Sequence, residues 1–320
     1  MTASTRPAPW KILLAFAIIY VVWGSTYLAI RVGVHEFPPF LMAGLRFTTA
    51  GVFMFIGMGV TGTSFPTLRE WGGATVLGTL MFLIDYACLF WAEQRVPSGI
   101  AAVILAMIPV CITLLEIIFL RTQRLTFTLS LALLIGIIGV SVLMNPSGSL
   151  GEAALDRRGA VALLVSCCGW SIGTIVSKRV TLPASKAMSA AAQMLSGGVQ
   201  LLLLAAIAGE FASFHAHNIS GKAWFSLVYL IVAGSIVAFT AYVWLLHYES
   251  PTKVGTYAYV NPVVAVILGG LLGGEVIGKR TVLGTSLILA SVIGITTTKA
   301  KLAQPVGAGE TPEPARVAAE

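Results

Sequence analysis

Apolar residues run along the chain in long stretches that recur almost end to end, separated by short polar turns. Each stretch holds about the 20 residues that a helix needs to cross the hydrocarbon core of a bilayer. The pattern predicts ten membrane-spanning helices, over residues 11–33, 39–60, 71–92, 98–120, 126–145, 158–180, 185–209, 222–247, 253–274 and 280–298. Turn chemistry marks most of the joints: Phe37-Pro38-Pro39, Val96-Pro97-Ser98, Asn145-Pro146-Ser147, Leu182-Pro183 and Ser250-Pro251. The first stretch is long, weakly flanked and without a small-residue cleavage site after it, so it reads as a span rather than a cleaved leader. From residue 303 onward Pro, Gly, Ala and Glu alternate, and this tail is expected to be disordered.

Composition adds the solvent. Apolar residues make up 57% of the 320, charged residues 10%, and the mean hydropathy is +0.90, more apolar surface than one water-soluble core can hide. A net charge of +7 on a soluble chain would suggest nucleic acid. Here the basic residues cluster at segment ends, where they set orientation, and no nucleic-acid partner is expected. With both termini on one side, 12 Lys and Arg fall on that side and 7 on the other, with Arg46 inside a span. The bias predicts cytoplasmic termini. Cys88, Cys111, Cys167 and Cys168 all lie in apolar stretches without metal-ligand spacing, so neither a disulfide framework nor a metal site is expected.

The two halves of the chain echo each other. Tyr86 to Pro109 contains Trp91, Pro97 and Gly99, while Tyr242 to Pro262 contains Trp244, Pro251 and Gly255. Trp23-Gly24-Ser25-Thr26 likewise echoes Trp170-Ser171-Ile172-Gly173-Thr174. Five spans per half is an odd number, which turns the second half upside down relative to the first. The expected fold is an all-α membrane protein of ten transmembrane helices in two inverted five-helix repeats, an architecture of transporters with a midplane site. Its parts are an N-terminal cytoplasmic segment 1–10, a first repeat 11–145, a second repeat 158–298 and the tail 303–320.

The ordered set Trp23-Gly24-Ser25-Thr26-Tyr27, Pro38-Pro39 with Arg46-Phe47, Val96-Pro97-Ser98-Gly99, Tyr257-Ala258-Tyr259-Val260-Asn261-Pro262-Val263 and Gly274-Glu275 resembles the EamA-type permeases of the drug/metabolite transporter superfamily. The resemblance covers about residues 11–298 and is strongest to the bacterial inner-membrane YedA and YddG type. It implies export of amino acids, aromatic or neutral, or of related small metabolites across the inner membrane. Export of drugs or toxic metabolites by the same fold is the alternative. One departure is visible: Glu275 stands thirteen residues after Pro262, but thirteen after Pro109 stands Thr122.

A charge inside a span costs about 2.5 to 3.5 kcal/mol on insertion scales, so such residues are functional candidates. Arg46 and Asp85 share a depth on adjacent spans, and they read either as a static ion pair or as a solute or proton site. Glu116 lies near the basic residues Arg121 and Arg124, a helical-spacing pair. Trp23, Ser25, Thr26, Tyr27, Tyr86, Trp170, Ser171, Thr174, Tyr257, Tyr259 and Asn261 are the remaining cavity candidates, an amphipathic wall suited to a solute with an apolar side chain and a zwitterionic head. Pro109 and Pro262 each remove a helical hydrogen bond and are hinge candidates. Gly269, Gly273, Gly270 and Gly274 form small-xxx-small pairs expected to pack within the chain. No GxxxxGK[ST] or HExxH motif is present, which argues against direct ATP use and a zinc peptidase. The expectation is a carrier without cofactor, working as a monomer on a small-molecule substrate in a lipid bilayer.

Overall fold

The computed structural model describes residues 7–121, 125–144, 155–249 and 251–302, and among these every regular element is helical. The long helices are α1 (Pro9–Val34), α2 (Pro39–Val60), α3 (Leu68–Glu93), α4 (Ser98–Leu120), α5 (Phe127–Met144), α6 (Arg157–Val176), α7 (Lys186–Ile207), α8 (Gly221–Tyr248), α9 (Tyr257–Leu272) and α10 (Lys279–Leu302). Eight of them are long and apolar enough to cross a membrane, while α5 and α9 are shorter apolar helices. The turn at 145–147, Thr122, Arg124, Ser250 and the tail 303–320 lie outside the described residues.

Helix starts follow from local chemistry. Pro9 and Pro39 occupy first turns, where no backbone N–H is needed. Thr67 and Glu70 form a reciprocal capping box on α3, and Asp156, Ser185 and Ser220 cap α6, α7 and α8. Inside the helices, π-helical turns widen α3 at Thr79–Ile84, α4 at Glu116–Leu120 and α8 at Leu230–Val237. Such turns concentrate at functional sites because they free carbonyls from the helical ladder.

The two candidate hinge prolines differ locally, against the expected equivalence. A turn at Ala106–Met107 interrupts α4, and Pro109 sits in the first turn of the helix that restarts at Ile108. In the other half the turn falls earlier, at Gly255–Thr256 after the single turn Pro251–Val254, and Pro262 lies inside α9. Pro109 therefore costs no helical hydrogen bond, whereas Pro262 leaves the carbonyl four residues back without its donor.

Packing between the halves follows an exchange pattern. Helix α1 packs on α8 and α9 as α6 packs on α3 and α4; α2 packs on α8 as α7 packs on α3; α2 crosses α7, α4 crosses α9 and α5 crosses α10. Small residues allow these crossings. A Cβ at Gly51 would stand 2.8 Å from the Leu195 backbone nitrogen, and one at Gly139 2.8 Å from Ile288. The pairs around Gly269 and Gly273 pack inside the chain, against Glu275, Ser98 and Leu28. Large apolar side chains such as Phe225 (71% exposed) and Ile207 (85% exposed) cover the outer surface, an apolar exposure that suits lipid rather than water.

Gly198 gives a direct test of the α2–α7 crossing, because an added Cβ would lie 2.5 Å from the Thr48 backbone nitrogen. Gly198→Ala is expected to lower stability by about 1–3 kcal/mol, the usual cost of overpacking. Gly57→Ala, where a Cβ meets nothing within 4 Å, is the control and should leave the thermal midpoint in detergent at or above that of the parent. Equal midpoints for the two variants would refute the close crossing.

Candidate functional site

Two helices widened by π turns frame the interior. In α3 the widened turn ends directly at Asp85-Tyr86, and in α8 it contains Gly234 and Ser235. Between them lies Arg46 of α2, 3% exposed. Its Nε donates to Ser235 Oγ at 3.0 Å. Its guanidinium carbon stands 4.6 Å from the centre of the Phe47 ring and 5.3 Å from that of Tyr86, cation–π contacts that hold the plane of the group. Nη1 is buried and has no hydrogen-bond partner.

Asp85, also buried, accepts a hydrogen bond from Ser166 of α6. Arg46 and Asp85 therefore do not form the ion pair that their shared depth suggested. Depth fixes only one coordinate, and rotation about the helix axis gives each residue a different serine.

An aromatic group adjoins Arg46. Trp23 donates its indole N–H to the Gly234 carbonyl at 3.0 Å and packs on Tyr242 and Tyr257, with ring centres 5.3 and 5.0 Å away. Gly234 joins the two groups: a Cβ there would stand 3.3 Å from Arg46 Nη2 and 2.9 Å from Thr26. Tyr86 packs against Phe47 and Phe82, and Tyr27 is half-buried against the apolar core.

Other expected residues are used locally. Ser25 donates to the Val22 carbonyl and shares a hydrogen bond with Tyr229; Thr26, Ser171 and Thr174 donate to carbonyls of their own helices. Asn261, with its amide nitrogen turned toward them, donates to the Tyr257 and Tyr20 carbonyls at 3.2 Å, which ties α9 to α1 near Pro262. Trp170 is half-buried and stands outside the aromatic group, and Tyr259 turns away to bond Thr296 of α10.

Glu93 was not among the expected residues. It ends α3, is 0% exposed, and neither carboxylate oxygen has a hydrogen-bond partner. The spacing of Asp85, Leu89 and Glu93 at i, i+4, i+8 puts all three on one helix face, the signal that would have found it.

At the end of the bundle where α1 finishes, carboxylates from each half cap helices of the other. Glu275, in the turn after α9, accepts from the Ser98 N–H and hydroxyl at 2.7 Å each and from the Gly99 N–H at 3.1 Å, capping α4. Arg31 lies 3.3 Å from Glu275 and donates to the carbonyls of Glu93 and Val96, closing the C-terminus of α3. Glu210 accepts from the Leu41 N–H at 2.7 Å at the start of α2, and burial pushes its carboxyl up. Glu36 accepts from the Ser220 N–H and hydroxyl at the start of α8, bonds that hold its carboxyl below the usual range. The same contacts show chain direction: α1 ends where α6 begins, α2 begins where α7 ends, α3 ends where α8 begins, and α4 begins where α9 ends.

The EamA-like transporter family model matches residues 10–145 and again 157–297. Over 284 residues the chain is 36% identical to the uncharacterized inner membrane transporter YedA of Escherichia coli (strain K12), spanning 88% of this chain and 89% of that one. Protein PecM of Dickeya dadantii (strain 3937) is 26% identical over 280 residues, 85% of this chain and 89% of its own. A solved crystal structure of 21% sequence identity superposes with a TM-score of 0.61 over 93% of this chain and 99% of that one, which shows a shared fold.

Proposed function

The chain belongs to the EamA-like transporter family and is a multi-pass membrane transporter, and from that premise we propose that it carries amino acids, aromatic or neutral, or related small metabolites outward across the inner membrane by alternating access. The observation that carries this reading is the buried Arg46 guanidinium, held by Ser235 and two aromatic rings with Nη1 unpartnered, beside the aromatic group of Trp23, Tyr242 and Tyr257. A guanidinium fixed in this way suits a carboxylate, and the rings suit an apolar side chain. Proteoliposomes loaded with labelled phenylalanine, leucine and a panel of other amino acids, with and without a pH gradient, test it. Saturable exchange with counterflow is expected. Exchange of drug-like cations and of no amino acid would instead assign the chain to drug export.

The opposed directions of α1 and α6, α2 and α7, α3 and α8, and α4 and α9, together with the exchange pattern of packing, support two inverted five-helix repeats. On this reading α5 and α9 also cross, giving ten spans, and the capped end faces away from the cytoplasm. A cysteine at the exposed Ser213, or at Ser149, should then react with an impermeant thiol reagent from outside, and one at Thr122 should not. The reverse pattern would overturn the orientation.

Bending at the break in α4 and at Pro262 inside α9 is the proposed hinge motion. Pro262→Ala restores a helical donor in the interior of α9 and is expected to slow exchange about tenfold with near-normal affinity, as a gating defect does. Pro109→Ala, in a first turn, should have the smaller effect. Parent-like exchange in Pro262→Ala vesicles at matched protein levels would show the kink to be static.

A further inference from the structure

Glu93 is the one acidic side chain among the described residues with both carboxylate oxygens buried and without hydrogen-bond partners. Leaving a carboxylate so placed is costly, and buried polar groups in folded proteins are otherwise almost always satisfied, so this one calls for a partner that a bound ligand can supply. Arg31, bonded to its carbonyl, does not complete it. Arg31 spends its Nε on Glu275 and its Nη1 on two carbonyls, one of them the carbonyl of Glu93 itself. That bond fixes the backbone from which the Glu93 side chain projects.

The second incomplete group is Arg46. Arg46 lies over the Tyr86 ring, and Glu93 stands seven residues, two turns, further along the same face of α3; the two charged groups are not within ion-pair distance, and Nη1 of Arg46 has no partner. Arg46 is held by Ser235 and the rings of Phe47 and Tyr86, and the bond from Arg31 holds the backbone carbonyl of Glu93. A lone cation would leave Arg46 unfilled, and a lone anion would leave Glu93 unfilled. A molecule that carries both charges close together fills both.

We propose that Glu93 is the ammonium-binding residue of the solute site and that Glu93 and Arg46 together select a zwitterion, the ammonium toward Glu93 and the carboxylate toward Arg46. The proposal rests on the amino-acid reading above and adds to it the requirement for a free ammonium. A site built around two such poles rejects solutes that lack either charge, because the missing partner leaves a buried charge bare.

The test is equilibrium binding to the purified full chain in detergent, with phenylalanine and leucine, their amides, which lack the carboxylate, and their N-acetyl derivatives, which lack the ammonium. The parent protein is expected to bind the free amino acids at least about tenfold more tightly than either derivative. In Glu93→Gln the preference over the N-acetyl derivative should vanish while the preference over the amide remains; in Arg46→Gln the pattern should reverse. Unchanged discrimination in Glu93→Gln would overturn the assignment. The parent protein decides independently of how well the variants fold. Equal affinity for the free and N-acetylated forms would overturn the role of Glu93 and leave amino-acid carriage standing. No binding of any of these compounds, with no exchange of amino acids in vesicles, would overturn both.

Discussion

Glu275→Gln is expected to unseal the capped end of the bundle, and Glu275→Ala to destabilise the protein as well. One side chain, 8% exposed, accepts two backbone N–H bonds and a hydroxyl bond at the start of α4 and lies against Arg31. Removing it leaves a largely buried guanidinium and the α4 N-terminus without their anion, a loss of about 3–5 kcal/mol for a desolvated pair. The amide of Gln keeps an acceptor but loses the charge, so it should weaken the seal with a smaller loss of stability. A single cysteine at Thr26, buried beside Gly234, reports the opening in a background without Cys88, Cys111, Cys167 and Cys168. Its reaction with an impermeant thiol reagent from the capped side should speed up at least about tenfold, the change expected for some 1.4 kcal/mol of shifted equilibrium. An unchanged rate, with the thermal midpoint lowered, would reduce Glu275 to a structural cap.

The second large effect separates stability from transport. Arg46→Met is expected to keep or raise the thermal midpoint while exchange falls by about a hundredfold, because an apolar replacement of similar length removes a costly buried charge and is often neutral or stabilising by about 1–4 kcal/mol. Ser235, released from Arg46, can bond a carbonyl one turn back in α8. Thermal unfolding and vesicle exchange at matched protein levels measure the two sides. A variant that is less stable and fully active would place Arg46 in the scaffold and not in the site.

The helices were legible because their cause is local: about 20 apolar residues, bounded by Pro38-Pro39, Pro97-Ser98 and Leu182-Pro183, specify a span and its ends. Arg46, Asp85, Trp23 and Tyr257 stood out for a similar reason, since polar or aromatic groups at mid-span depth need no partner to be noticed. What depends on rotation and distant pairing was not legible. Ser166 and Ser235 look ordinary in the chain, and they settle whether Arg46 meets Asp85. Glu93 fell one residue beyond the predicted span of 71–92 and so was not weighed as a charge within a span. Glu275 was visible only as part of a motif; its partners Ser98 and Gly99 lie more than 170 positions away.

Two halves with identical ends would give a carrier whose two facing states have equal free energy. The chain departs from that symmetry in its sequence, for the position matching Glu275 in the first half is Thr122, which bears no charge. On the proposed alternating-access reading the bonds from Ser98 and Gly99 to Glu275 hold only while the capped end is closed, and at about 1.5–3 kcal/mol for a hydrogen bond to a charged group they would tilt the unloaded equilibrium toward that state by one or more powers of ten. On that reading the empty protein is expected to rest with the capped mouth shut, so that solute meets it from the other. One acidic residue would then be enough to give a nearly symmetrical machine a preferred starting position.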